Sequence, residues 1–119
     1  MGFFKKLFGG GQSASESELI IKKDRTENEL RITLIGRMNA MTAPQLGEVV
    51  KNELSDIIRL VLDLTELEYM SSAGLRVIMD AFDVMKQQGS LTLLNPAEAV
   101  MDVLDETGLA GFMEIIHDR

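Results

Sequence analysis

Apolar residues change their spacing along this chain, and each change marks an expected element. Leu19-Ile20-Ile21 and Leu30-Arg31-Ile32-Thr33-Leu34-Ile35 are short and rich in β-branched residues, the second alternating apolar with polar. A polar stretch, Lys22 to Glu29, separates them, which predicts two antiparallel strands, the second ending at Gly36. Thr42-Ala43-Pro44-Gln45 reads as a helix start. Thr42 is placed to cap, Pro44 lies in the first turn and Gln45 can return a hydrogen bond in a capping box. Leu46, Val49, Val50 and Leu54 then form one apolar stripe.

Leu60-Val61-Leu62-Asp63-Leu64 reads as a strand apolar on both faces, as expected of a central parallel strand covered by helices. After a loop and Ser71-Ser72, the spacing of Leu75, Ile78, Met79, Phe82 and Met85 predicts a helix ending near Gly89. Leu91-Thr92-Leu93-Leu94 is a further strand. Asn95-Pro96-Ala97-Glu98 predicts a second helix start, with Asn95 as cap and Pro96 at the first helical position. That helix buries Val100, Met101 and Leu104, stops at Gly108, and precedes a last short strand near Phe112 to Ile116. A hairpin followed by strand–helix units implies an α/β fold with a mixed sheet and helices on its faces. The loops after the strands' carboxyl ends become the expected functional surface, and Ser71 and Ser72 lie there.

The first seventeen residues stand apart from residues 18–119, which are expected to form the single domain of this 119-residue chain. Met1-Gly-Phe-Phe-Lys-Lys-Leu-Phe8 runs into a Gly- and Ser-rich tether with a reach of roughly 16 Å. As a helix, residues 2–8 gather Phe3, Phe4, Leu7 and Phe8 on one side, the pattern of a peripheral membrane anchor. A frayed terminus, or a segment packed on its own domain or a neighbour, fits equally. The segment is too short to span a bilayer and lacks the features of a secretory signal, so export is not expected.

The formal net charge is −7, and setting aside Lys5 and Lys6 leaves −9 for the rest. Such a balance opposes non-specific nucleic-acid binding and favours a basic protein partner. With no cysteine, thiolate metal sites, disulfides and cysteine nucleophiles are excluded together. The single histidine, His117, lies beside the C-terminus and is expected at the surface. No phosphate-binding loop, dinucleotide fingerprint or nucleophile elbow occurs, and Gly9-Gly10-Gly11 precedes the fold instead of joining a strand to a helix. The expectation is a non-catalytic protein with no cofactor and no metal.

The stretch Leu62-Asp63-Leu64-Thr65-Glu66-Leu67-Glu68-Tyr69-Met70-Ser71-Ser72-Ala73-Gly74-Leu75-Arg76-Val77-Ile78 resembles the signature of the STAS domain family, the bacterial anti-sigma factor antagonists and related modules. Gly36-Arg37-Met38-Asn39-Ala40-Met41-Thr42-Ala43 is similar to that family's Gly-x-x-Asp-x-x-Thr-Ala segment, and the resemblance spans about residues 18–117. It implies a cytoplasmic regulatory module that, unphosphorylated, binds an anti-sigma factor that is also a serine kinase. Phosphorylation breaks that complex and a serine phosphatase restores it. Carried over by position, the phosphorylated residue is Ser72, because Gly74-Leu75 follow at the family spacing. Ser71 stands where the family commonly has Asp, and is expected to keep a capping role that leaves the Ser72 hydroxyl free.

The partner surface implied by the resemblance comprises Met70, Ser71, Ser72, Gly74, Arg76 and Asn39. Plainer roles stand beside it. Ser71-Ser72 suit a helix cap, Gly74 suits close helix–sheet packing, and Asn39, where many members carry Asp, suits a turn. Met38, Met41 and Met70 fit either an adaptable contact patch or core filling. Arg76 fits pairing with a partner acid or a phosphate, or a solvated helix surface. A different use of the same fold is a subunit of a membrane-associated, lipid-transport type complex anchored through residues 1–8.

Overall fold

The computed structural model describes residues 18–118. Expectations for residues 1–17, including the tether and the membrane contact, lie outside the described residues. In chain order the elements are β1 (Leu19–Arg25), β2 (Glu29–Met38), α1 (Ala43–Glu53), β3 (Arg59–Met70), α2 (Ser72–Met85), β4 (Ser90–Leu94), α3 (Glu98–Glu106), a 3-10 turn (Leu109–Gly111) and β5 (Glu114–Ile116). The five strands form one mixed sheet in the order β1-β2-β3-β4-β5. β1 and β2 make the antiparallel hairpin, and each later neighbour is parallel. No described helix is long and apolar enough to cross a membrane.

Each parallel step moves one strand further in the same direction, so right-handed crossovers place every helix on the same side of the sheet. Burial agrees: Leu30, Ile32 and Leu34 of β2, Leu60, Leu62 and Leu64 of β3, and Leu91 and Leu93 of β4 are buried beneath α1, α2 and α3. Their alternates Arg31, Arg59 and Ser90 are exposed. The expectation that β3 is covered on both faces is therefore corrected. Val61 is only half-buried, and Asp63 ties across the open face to Arg31 at 3.0 Å. β1 is an edge strand protected by Lys22 and Lys23, and Lys23 pairs with Glu53 of α1 at 2.9 Å.

Both central strands run further than expected, β2 through Gly36 to Met38 and β3 through the presumed loop to Met70. Two irregularities account for this. β3 carries one extra residue opposite Thr33–Ile35 and another opposite Gly36–Arg37. Each stretches its inward spacing from two to three, so that Leu64, Leu67 and Met70 are all buried although the alternation fails. Gly36 serves the bend, with φ +111° and a Cβ position that falls 2.5 Å from the Glu18 carbonyl oxygen. Other boundaries also differ from expectation. α2 ends at Met85, ahead of Gly89, and Met79 is 41% exposed rather than core. α3 begins at Glu98 with Ala97 as its N-cap. Asn95 adopts φ +52° and exchanges hydrogen bonds with Asp118 instead of capping. β5 is reduced to Glu114–Ile116.

Asp63 is the perturbed acid of the sheet. Partial burial raises its pKa, but the Thr65 hydroxyl and amide and the Arg31 guanidinium together outweigh burial and hold it below the ordinary 3.8. A carboxylate favoured in the folded state stabilises fully above its unfolded pKa, and that contribution is lost as pH falls through the lower folded value. Asp63→Asn is thus expected to lower stability by about 0.5–1 kcal/mol at pH 7. Urea unfolding should show the gap closing below roughly pH 4; an equal gap at pH 7 and pH 3 would refute this account.

Candidate functional site

β2 and β3 finish level with each other, Met38 opposite Met70, so their two exits lie side by side at the carboxyl edge of the sheet. The pairing continues one step beyond, where the Ser71 amide donates to the Met38 carbonyl at 2.8 Å. One exit is the Asn39–Thr42 turn, the other the Ser71–Ser72 step into α2. On the open face beside them, the Arg37 guanidinium stacks 4.5 Å from the Tyr69 ring centroid. The sequence pattern gave no sign of that contact, because it depends on the second irregularity, which sets Arg37 opposite Tyr69.

Asn39 builds the first turn. Its side-chain oxygen accepts from the Met41 amide at 2.9 Å and the Thr42 amide at 3.1 Å, while its own amide donates to the Thr42 hydroxyl oxygen at 2.9 Å. Thr42, 3% exposed, donates to the Arg37 carbonyl at 2.8 Å. Thr42 is the N-cap of α1 by position, but its side chain makes no cap hydrogen bond, so the capping box with Gln45 does not form. The hydroxyl ties the end of β2 to the turn instead. Met41 projects from this turn, 81% exposed, whereas Met38 and Met70 are core at 0% and 2%.

At the second exit Ser71 is extended (φ −88°, ψ 178°) and occupies the N-cap of α2, its carbonyl accepting from the Leu75 amide at 3.0 Å. The expected side-chain cap is absent. The Ser71 hydroxyl is buried and has no hydrogen-bond partner among the described residues. Ser72, the first helical residue, is exposed, as is Arg76 one turn later. Gly74 faces inward against the strand ends: a Cβ there would lie 2.7 Å from Met38 Cγ and 3.0 Å from Met70 Cγ. The helix can approach because this side chain is missing. The structure thus gathers Met70, Ser71, Ser72, Gly74 and Asn39 at one edge, divided into a buried seat (Met70, Gly74), a turn (Asn39) and an exposed hydroxyl (Ser72). Among the described residues no group of three potential metal ligands occurs.

A mixed sheet under a single helical layer, with a serine displayed where a strand passes into a helix, defines an α/β module with an exposed serine at the carboxyl edge of its sheet. The STAS domain family matches residues 21–119, and this chain belongs to it. Among curated proteins it is 34% identical over 95 residues to the anti-sigma-B factor antagonist of Listeria monocytogenes serovar 1/2a, covering 78% of this chain and 83% of that protein. It is 32% identical over 92 residues to the anti-sigma-B factor antagonist of Bacillus subtilis, covering 76% and 84%. Its fold is similar to the solved structure of the anti-sigma factor antagonist SpoIIAA in its unphosphorylated form, with a TM-score of 0.72 at 18% identity, covering 83% of this chain and 90% of that one. The Bacillus SpoIIAA in the phosphorylated form gives a TM-score of 0.68 at 17% identity, with 83% and 93% covered.

Two substitutions test this geometry. Gly74→Ala forces a methyl into the Met38–Met70 seat and should cost about 1–3 kcal/mol by urea unfolding; a neutral result would mean that the seat is loose. Ser71→Ala removes a hydroxyl that forms no cap, so stability should hold within about 0.5 kcal/mol. A loss near 1 kcal/mol, typical of a lost N-cap, would contradict the observed side chain.

Proposed function

We infer that this chain is an anti-sigma factor antagonist: unphosphorylated, it binds an anti-sigma factor that is also a serine kinase, and phosphorylation of Ser72 releases that partner. The observation that carries the reading is the exposed Ser72 hydroxyl on the first turn of α2, beside the Asn39–Thr42 turn. The names of the relatives at 32–34% identity support it. The module acts by binding and has no catalytic role of its own. In the transfer, Ser72 Oγ bonds to the γ-phosphorus of ATP as the bond to the β-phosphate oxygen breaks. ADP leaves, and the hydroxyl proton passes to a base of the kinase. A serine phosphatase reverses the modification by hydrolysis, and the cycle runs in the cytoplasm.

The position suits a switch on physical grounds. Free amides and the positive end of the α2 dipole tolerate a phosphate by roughly 0.3–1 kcal/mol, so the fold survives modification. The interface does not, because a phosphoserine brings about −1.5 to −2 charges into a contact shaped for a hydroxyl. The chain is already at −7 and salt screens beyond roughly 8 Å, so the effect works through contacts at the edge and not through net charge. Incubation with the cognate kinase and ATP should label the wild type and Ser71→Ala, and leave Ser72→Ala unlabelled by peptide mass spectrometry. Phosphorylated protein should bind the kinase at least about tenfold more weakly, equivalent to 1.4 kcal/mol. Label retained in Ser72→Ala, or equal affinity of the two forms, would overturn the proposal.

A further inference from the structure

Helix α2 carries one base, Arg76, followed by two acids, Asp80 and Asp83. Arg76 is exposed and makes no ion pair among the described residues, whose pairs are Lys23–Glu53, Arg31–Asp63, Arg59–Glu29 and Lys86–Asp83. It stands four residues after Ser72, and positions four apart share a helix face with their Cβ atoms about 5–6 Å apart. Side chains on a helix lean toward its N-terminus, which favours reach from position 76 back to Ser72 over reach forward to Asp80. Asp80 also competes poorly by order, since an acid on the C-terminal side of its base makes the weaker pair. At the end of β2, Arg37 is already stacked on the Tyr69 ring.

Resting on the reading of Ser72 as the phosphorylated residue, we propose that Arg76 is the receptor of that phosphate within the same helix. The guanidinium fork matches two phosphate oxygens and closes a pair across the first turn of α2. Phosphorylation then withdraws two groups from a partner at once: the Ser72 hydroxyl is replaced, and the Arg76 guanidinium is occupied. In the unmodified protein Arg76 is free to meet a partner carboxylate. Arg76 is a positioning residue in this scheme, since it holds the phosphate and does not transfer it.

The test is a four-way comparison of full-length protein carrying either Ser72 or a phosphoserine installed there during translation, each with Arg76 or with Arg76→Gln. In the unmodified protein, Arg76→Gln should change the unfolding equilibrium in urea by less than about twofold, as for an ordinary surface position. In the phosphorylated protein it should cost a further two- to fivefold or so, a four-residue ion pair strengthened by a phosphate partner. Arg76→Lys should restore part of that coupling, and about 1 M salt should reduce it. An identical effect of Arg76→Gln in both forms overturns the proposal. Because the phosphate is installed without a kinase, that outcome is separate from failure of the switch itself. A cellular protein found without phosphate at Ser72 would overturn the switch.

Discussion

Met38 and Met70 end their strands side by side, and the placement of everything at the carboxyl edge follows from that pairing. Two extra residues in β3 keep Leu67 and Met70 turned inward, and burying such side chains contributes about 1.5–3 kcal/mol each, enough to hold an irregular strand in register. Once the strand ends are level, the Ser71 amide meets the Met38 carbonyl, α2 begins immediately, and Gly74 comes down onto both methionines. The Asn39 turn and the Ser72 hydroxyl are neighbours because of this arrangement and not through any bond between them.

The hairpin, the order of strands and helices, and most of the core were legible from periodicity. The stripe Leu46, Val49, Val50, Leu54 is buried, as are Val100 and Leu104. What periodicity could not convey was the length of β2 and β3. An extra residue turns a spacing of two into three, and Thr65 to Tyr69, read as a loop, is strand. The single helical layer was missed because Val61 looks like core in a sequence, whereas coverage of a face depends on the direction of every crossover. Capping chemistry was read too literally: Thr42 and Asn95 carry suitable side chains, but nearer partners, the Arg37 carbonyl and Asp118, take them.

The candidate site was legible only through the resemblance of its motif. Ser72 as the modified residue came from that resemblance, and what the structure adds is the physical reason for Gly74, which lets α2 close on Met38 and Met70. Asn39 as the organiser of its turn was open beforehand and is settled by two amides bonded to its side chain. Ser71 shows the opposite lesson. Its residue type and its extended backbone angles both suit a cap, yet its hydroxyl is buried without a hydrogen-bond partner among the described residues.

The open face of the sheet has its own consequence. Arg31 is matched to Asp63, Arg59 to Glu29, and the Thr92 hydroxyl to Glu114 at 2.6 Å, so three polar pairs bridge adjacent strands there. The uncovered side of the sheet is thus laced by side chains as well as by its backbone ladder: each pair spans two adjacent strands, so sliding one strand past the next would part charges as well as break main-chain hydrogen bonds.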